Sequence, residues 1–156
     1  MSTEYFEARG PLGCRVAMVD RLTPQHRSWL MSRVRSKNTT PELIVRRIAH
    51  ALGYRFRLHS KDLPGKPDLV LPKYRAVIFV HGCFWHRHPK CRKASNPTTR
   101  IAFWVDKFER NVARDAENRR LLRRAKWRVL TIWECETKRE DRLRRILQRF
   151  LAIEKK

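Results

Sequence analysis

Cys83, His88 and Cys91 fall within nine residues, in the spacing Cys-x4-His-x2-Cys. Thiolate and imidazole suit tetrahedral Zn²⁺, and a structural zinc site closes with four protein ligands. Cys135, directly behind the apolar run Val129 to Trp133, could be carried to that loop by a neighbouring strand and complete a Cys3His set, leaving Cys14 as a spare thiol. We expect one zinc per chain. The competing reading is a group of reduced bystander cysteines, since the spacing matches no standard finger. Two more histidines, His81 and His86, stand in the same stretch, separated by Gly-Cys-Phe-Trp. Neutral imidazole titrates near neutrality and can take a proton from water, which suits phosphodiester hydrolysis. On chemistry alone the pair could equally be spare metal ligands or phosphate contacts.

The surrounding charge narrows the partner. The chain has 156 residues with 37 Lys or Arg against 15 Asp or Glu, a net charge of +22. One carboxylate or phosphate does not require such a field, whereas a polyanion does; the bland alternatives are a solubility device or a ribosome-associated surface. Residues 31–100 hold 16 basic residues and only three acids, Glu42, Asp62 and Asp68. Each retained carboxylate weakens phosphate binding, so Glu42 and Asp68 become candidates for a specific task. Asp62, in Ser60-Lys61-Asp62, reads as a turn residue. In the C-terminal third, acids and bases alternate at helical spacing, as in Asp106 and Arg110, and read largely as a solvated helix face.

The elements that must position these groups are legible in outline. The length fits one core, and a 42% apolar content is enough to build it. No apolar run approaches the ~18 to 20 residues of a membrane span, and the N-terminus lacks the order of a secretory signal, so the expectation is a cytoplasmic protein with no membrane partner. Residues 1–30 read as a partly flexible arm and 31–156 as the main folded domain. Thr39-Thr40-Pro41-Glu42 has the spacing of a capping box, opening a helix with Ile44, Ile48, Ala51 and Leu52 inward and Gly53 ending it. Tyr54, Phe56 and Leu58 alternate with arginines as in a half-buried strand. Asp68 to Leu71 and Ala76 to Val80 predict a hairpin whose second strand, apolar on both faces, is central. A helix over about Thr99 to Lys126, with Ile101, Trp104, Phe108, Val112 and Leu122 inward, a strand at Val129 to Trp133 and a helix from Asp141 to Ile153 complete an α/β arrangement.

Taken together, Pro64-Gly65-Lys66-Pro67-Asp68, then Val77 to His86 with its Gly-Cys-Phe-Trp-His block, Phe103-Trp104, Asn111-Val112, Asp115, Trp127 to Leu130 and Trp133-Glu134-Cys135 resemble the very short patch repair (Vsr) mismatch endonucleases, over about residues 27 to 150. The resemblance implies a restriction-endonuclease-like fold of the PD-(D/E)XK superfamily, a mixed sheet flanked by helices with a structural zinc site. It implies a Mg²⁺-dependent nick 5′ to the thymine of a T:G mismatch, the product of 5-methylcytosine deamination. By position, Asp68 and the backbone carbonyl of Val80 would hold Mg²⁺, with Glu42 an acid near that site. His86 would activate water, oriented by Asp115, with His81 a second imidazole. Cys83, His88, Cys91 and Cys135 would hold Zn²⁺. Phe84, Trp85 and Trp104 would enter the DNA beside the mismatch, with Arg27, Met31 and Asn111 as further DNA contacts; the reading for Trp104 from the apolar pattern alone is a core aromatic. Phe84 and Trp85, consecutive in a loop, are expected to be exposed. The implied partners are mismatched duplex DNA, mismatch-repair proteins and a paired cytosine-5 methyltransferase, with the chain a monomer. Two other readings remain: a restriction or phage endonuclease of the same fold with another target, and a zinc-stabilised DNA-binding module without catalysis, which would have no need of Asp68, His81, His86 and Asp115.

Overall fold

The computed structural model describes residues 37–58 and 60–152, together with Thr23, Gln25, His26, Trp29, Ser32 and Arg33. The chain divides into two units, residues 1–35 and 36–156. In the first, the Ser32 hydroxyl donates to the Trp29 carbonyl and the Arg33 guanidinium lies 4.2 Å from the centre of the Trp29 ring. Arg27 and Met31 lie outside the described residues.

The second unit begins with helix α1, Thr40–Ala51. Pro41 occupies the first turn, where its missing N–H costs nothing. The capping box expected there does not form, because the Thr39 side chain caps no backbone N–H. Its hydroxyl instead donates to Glu42 Oε1 at 2.9 Å, and Glu42 Oε2 accepts the Asn38 backbone N–H at 2.9 Å. At the other end the Gly53 N–H bonds the His50 carbonyl and the Tyr54 N–H the Ala49 carbonyl, a Schellman closure that needs the left-handed φ of +84° at Gly53. Val45, Ile48 and Ala49 turn inward, whereas Ala51, four residues after exposed Arg47, falls off that stripe and is exposed.

The sheet has three strands in the order β1 (Leu69–Leu71), β2 (Ala76–His81), β3 (Arg128–Trp133). The hairpin pairs β1 and β2 antiparallel, with Leu69 opposite Ile78, and β3 lies parallel to β2, with Ala76 opposite Arg128. The strand expected over Tyr54 to Leu58 reduces to one bridge between Arg57 and Val70. The three residues of β1 offer too short an edge for a longer ladder, and Tyr54 and Phe56 spend their rings on the core instead.

Between β2 and β3 runs helix α2, Ile101–Arg124, and after β3 comes helix α3, Glu140–Leu151. The apolar side chains of β2 alternate between two cores. Ala76 and Ile78 pack with Val45 and Ile48 of α1 and with Leu143, Leu147 and Leu151 of α3. Val77 and Phe79 pack with Val70 and with Leu122 of α2. A central strand buried on both faces by flanking helices is the three-layer solution. At 24 residues and about 36 Å, α2 outruns the sheet beneath it. Ile101 (61% exposed) and Val112 (43%), expected inward, therefore stay in solvent, and of the predicted inward set only Phe108 and Leu122 are fully buried.

Candidate active site and metal centre

Strand register explains why the site residues meet. The parallel offset between β2 and β3 is 128 − 76 = 52 positions. Carried two residues past the strand ends it sets Cys83 against Cys135, because 135 − 83 is also 52. The ligand atoms of Cys83, His88, Cys91 and Cys135 lie within 4.8 Å of one another. The Cys83 and Cys135 sulfurs stand 3.6 Å and 3.3 Å from His88 Nδ1. Tetrahedral Zn²⁺ with bonds of about 2.3 Å to sulfur and 2.0–2.1 Å to nitrogen spaces such atoms about 3.6 Å apart, so the donor set fits the ion. Burial pushes the Cys83 thiol up to about 12 and also raises Cys135, while the Lys93 backbone N–H holds Cys91 below the ordinary value. A bound cation would draw those protons off. The His88 ring stacks on Trp133 at 4.3 Å, and Glu134 braces the loop by accepting from the Cys83 N–H and from Lys93. Trp133, Glu134 and Lys93 support the centre; the first two belong to a block that the sequence singled out, with no role given to them, and Lys93 does not stand out in the sequence.

The same end of the sheet gathers the second group. His81 closes β2, and its ring stacks on that of His86 at 3.9 Å with 14° between planes. Asp115, from the middle of α2, meets both: its Oδ2 is 2.5 Å from His86 Nδ1 and 3.9 Å from His81 Nδ1. Only the first is a hydrogen bond, and His81 Nδ1 is buried with no partner. Burial raises the Asp115 carboxyl, yet the His86 bond and the charges of His86, His81 and Arg114 outweigh it and hold the carboxyl below its ordinary value. An ionised Asp115 accepts a hydrogen bond from the Nδ1–H of His86, which leaves the lone pair of His86 Nε2 as the free acceptor. His81 is pushed down to about 4, by burial first and then by the charge of His86, so it is neutral at pH 7.

Asp68 precedes β1 and is tied to β2. Its N–H donates to the Ile78 carbonyl, and its Oδ2 accepts the Val80 N–H at 2.7 Å. Burial pushes this carboxyl up to about 6 against that hydrogen bond; the Glu42 charge raises it further, and Arg46 and His86 oppose. A buried acid that is costly to ionise, with one oxygen left over, fits a hard divalent cation, since Mg²⁺ takes one or two carboxylates and fills its shell with water and phosphate. Glu42 is 4% exposed, with both oxygens engaged by Asn38, Thr39 and Arg46, so it acts on Asp68 through its charge. Arg46, buried as its counter-ion at 2.8 Å, was readable only as an i, i+4 pair.

The turn before Asp68 depends on Gly65. Its φ is +75°, and a Cβ there would lie 2.8–3.0 Å from the Asn118 side chain of α2. Gly65→Ala is expected to cost about 1–3 kcal/mol of unfolding free energy by chemical denaturation. An unchanged midpoint would show that the turn adapts.

Phe84 and Trp85 are half-buried, contrary to the expectation of exposure. They avoid the main core by building a separate aromatic cluster: Phe84 meets Trp85, Trp104 and Phe108 edge to face at 5.1–5.5 Å. Trp104 is likewise half-buried there. The Lys107 ammonium lies 5.2–5.6 Å from the ring centres of Trp85, Phe103 and Trp104. Asn111 donates to the Trp85 carbonyl at 3.1 Å and accepts from Arg114, which fixes the loop to α2.

The profile of the DNA mismatch endonuclease Vsr matches residues 19–93, a stretch that includes Asp68, His81, His86 and three of the four zinc-type ligands. The chain is 52% identical over 134 residues to the type II nicking enzyme V.XorIIP of Xanthomonas oryzae pv. oryzae, an alignment covering 83% of this chain and 98% of that one. It is 40% identical to the type II nicking enzyme V.NmeAIP of Neisseria meningitidis, covering 86% and 95%. To the DNA mismatch endonuclease Vsr of Escherichia coli it is 43% identical over 117 residues, covering 70% and 74%.

Proposed function

The chain belongs to the Vsr family of DNA mismatch endonucleases, and we propose that it nicks one strand 5′ to the thymine of a T:G mismatch, initiating very short patch repair. The observation that carries this reading is the cluster of His81, His86 and Asp115 at one end of the sheet, with the Asp68 carboxylate bonded to the N–H of Val80, the residue before His81. Binding alone needs none of them.

His86 Nε2 accepts a proton from water as the water oxygen bonds to phosphorus and the bond to the leaving sugar oxygen breaks; the leaving oxygen regains a proton from solvent. Asp115 fixes the His86 tautomer and balances the charge that forms on the ring. His81, neutral and buried, confines the His86 ring by stacking. Asp68 and the Val80 carbonyl would hold Mg²⁺, which when bound offsets the phosphate charge. Glu42, held by Arg46, sets the charge beside Asp68. Phe84, Trp85 and Trp104 enter the stack beside the mispair, where unstacking is cheapest, and Asn111, Arg27 and Met31 contribute DNA contacts. Residues 31–156 act as a monomeric endonuclease domain and residues 1–30 as an arm. The biological setting is a cytosine-5 methyltransferase whose product deaminates to T:G, with mismatch-repair proteins acting alongside. Relatives named as nicking enzymes support single-strand cleavage over a double-strand cut.

The test is nick mapping at physiological salt with Mg²⁺, on duplexes differing only in T:G, T:A or C:G at one position. Cleavage confined to the thymine strand of T:G is expected; equal cleavage of all three would overturn the proposal. Salt matters because a protein of +22 binds any DNA at low ionic strength.

We further infer that zinc is structural here. Cys135→Ser is expected to lower bound zinc well below the one ion per chain of the parent by elemental analysis, and to cost roughly 3–5 kcal/mol of stability. A parent protein without zinc would refute the assignment.

A further inference from the structure

Along the C-terminal half of α2, Ala116, Arg119, Arg120, Arg123 and Arg124 line a groove of about 490 Å³. Their spacing is i, i+3, i+4, i+7 and i+8, so they share one helix face. Such a face costs the helix, because Arg119 with Arg123 and Arg120 with Arg124 are like charges at i, i+4, each pair unfavourable. Glu117 binds Arg120 through both carboxylate oxygens, at 2.6 and 2.8 Å, and Asp115 stands four residues before Arg119 with its carboxylate turned to His86. The guanidinium groups of Arg119, Arg123 and Arg124 make no hydrogen bond or ion pair among the described residues. Every cation from Arg110 to Arg124 is arginine, whose planar fork matches phosphate oxygens, with no lysine among them. The floor at Ala116 is small, leaving room for close approach. The groove also starts beside the reaction centre, since Ala116 directly follows Asp115, whose carboxylate holds His86.

We propose that this face is a phosphate track that carries the sugar-phosphate backbone of duplex DNA away from the nicking site. The proposal rests on the mismatch-endonuclease reading and adds to it the exit path of the strand. From Asp115 to Arg124 the helix rises about 13 Å, the axial length of about four nucleotides. Contacts of this kind position the duplex and are blind to its sequence.

The test compares the full-length parent with Arg120→Gln/Arg123→Gln/Arg124→Gln and with a control that removes the same charge elsewhere, Arg142→Gln/Arg144→Gln/Arg145→Gln on the exposed face of α3. Binding to T:G and T:A duplexes is titrated across salt concentrations. For the α2 variant the slope of log K against log salt is expected to fall in magnitude by about two to three, near 0.9 per lost phosphate contact. Both duplexes should weaken alike, the control should keep the parental slope, and hydroxyl-radical protection should shrink on one side of the mismatch. A parental slope in the α2 variant, or an equal loss in the control, overturns the track. If the parent nicks T:G while the α2 variant keeps its slope, only the track fails. If the parent nicks nothing, the functional reading fails by itself.

Discussion

Replacing Asp68 with asparagine is expected to abolish nicking while making the Mg²⁺-free protein more stable at pH 8. Folding raises this carboxyl from 3.8 to about 6, chiefly by burial. An acid raised by folding contributes its full stability below the unfolded value and loses it as pH climbs through the folded one. The gap corresponds to about 3 kcal/mol at most. Asparagine carries no charge to desolvate, and its amide oxygen can still accept the Val80 N–H. The gain should be present at pH 8 without added Mg²⁺ and vanish near pH 3.5, where parent and variant are both neutral at this position. Denaturant melts at the two pH values measure it. In activity the variant has no charge with which to hold a hard cation, and a loss of roughly a thousandfold or more is expected. Nicking within tenfold of the parent would remove Asp68 from the metal site. A variant less stable at pH 8 would show that the carboxylate is better solvated than its burial implies.

The second large effect belongs to His86. His86→Ala should lower single-turnover nicking by about 10²–10⁴-fold, the usual contribution of a positioned general base, with T:G duplex binding nearly intact. Added imidazole should restore part of the rate, a response that a merely structural role for the ring would not produce. Asp115→Asn keeps the ring in place but removes the charge that selects the Nδ1–H tautomer, so a smaller loss without imidazole rescue is expected. Full activity in His86→Ala would eliminate it as the base.

These effects are attached to residues that the sequence already singled out, and the reason is local chemistry. A thiol or imidazole is a metal donor wherever the chain carries it, and an acid retained in a segment of 16 bases and three acids is conspicuous before any fold is known. Apolar runs likewise announced β2 as central, since a strand covered on both sides must be apolar on both. Local pattern failed where a residue's partner lay elsewhere. Thr39 and Glu42 have capping-box spacing, yet Glu42 turned to Asn38 and Arg46. Tyr54 to Leu58 alternate like a strand, yet β1 offered only one bridge. Phe84 and Trp85 found a third option between core and solvent, in rings contributed by α2.

By itself, then, the sequence determined which atoms could bind zinc, which acid and imidazoles could act on a phosphodiester, and that the net charge suits a polyanion, because donor chemistry and net charge are carried in composition and short-range spacing. Only the tertiary structure decided which of those atoms meet. The 52-residue register offset of β3 on β2 brings Cys135 to Cys83, and the packing of α2 over β2 sets Asp115 against His86 and leaves His81 Nδ1 without a hydrogen-bond partner among the described residues. Burial at that junction then fixes which groups are charged, and burial belongs to the packed fold and not to any segment of it.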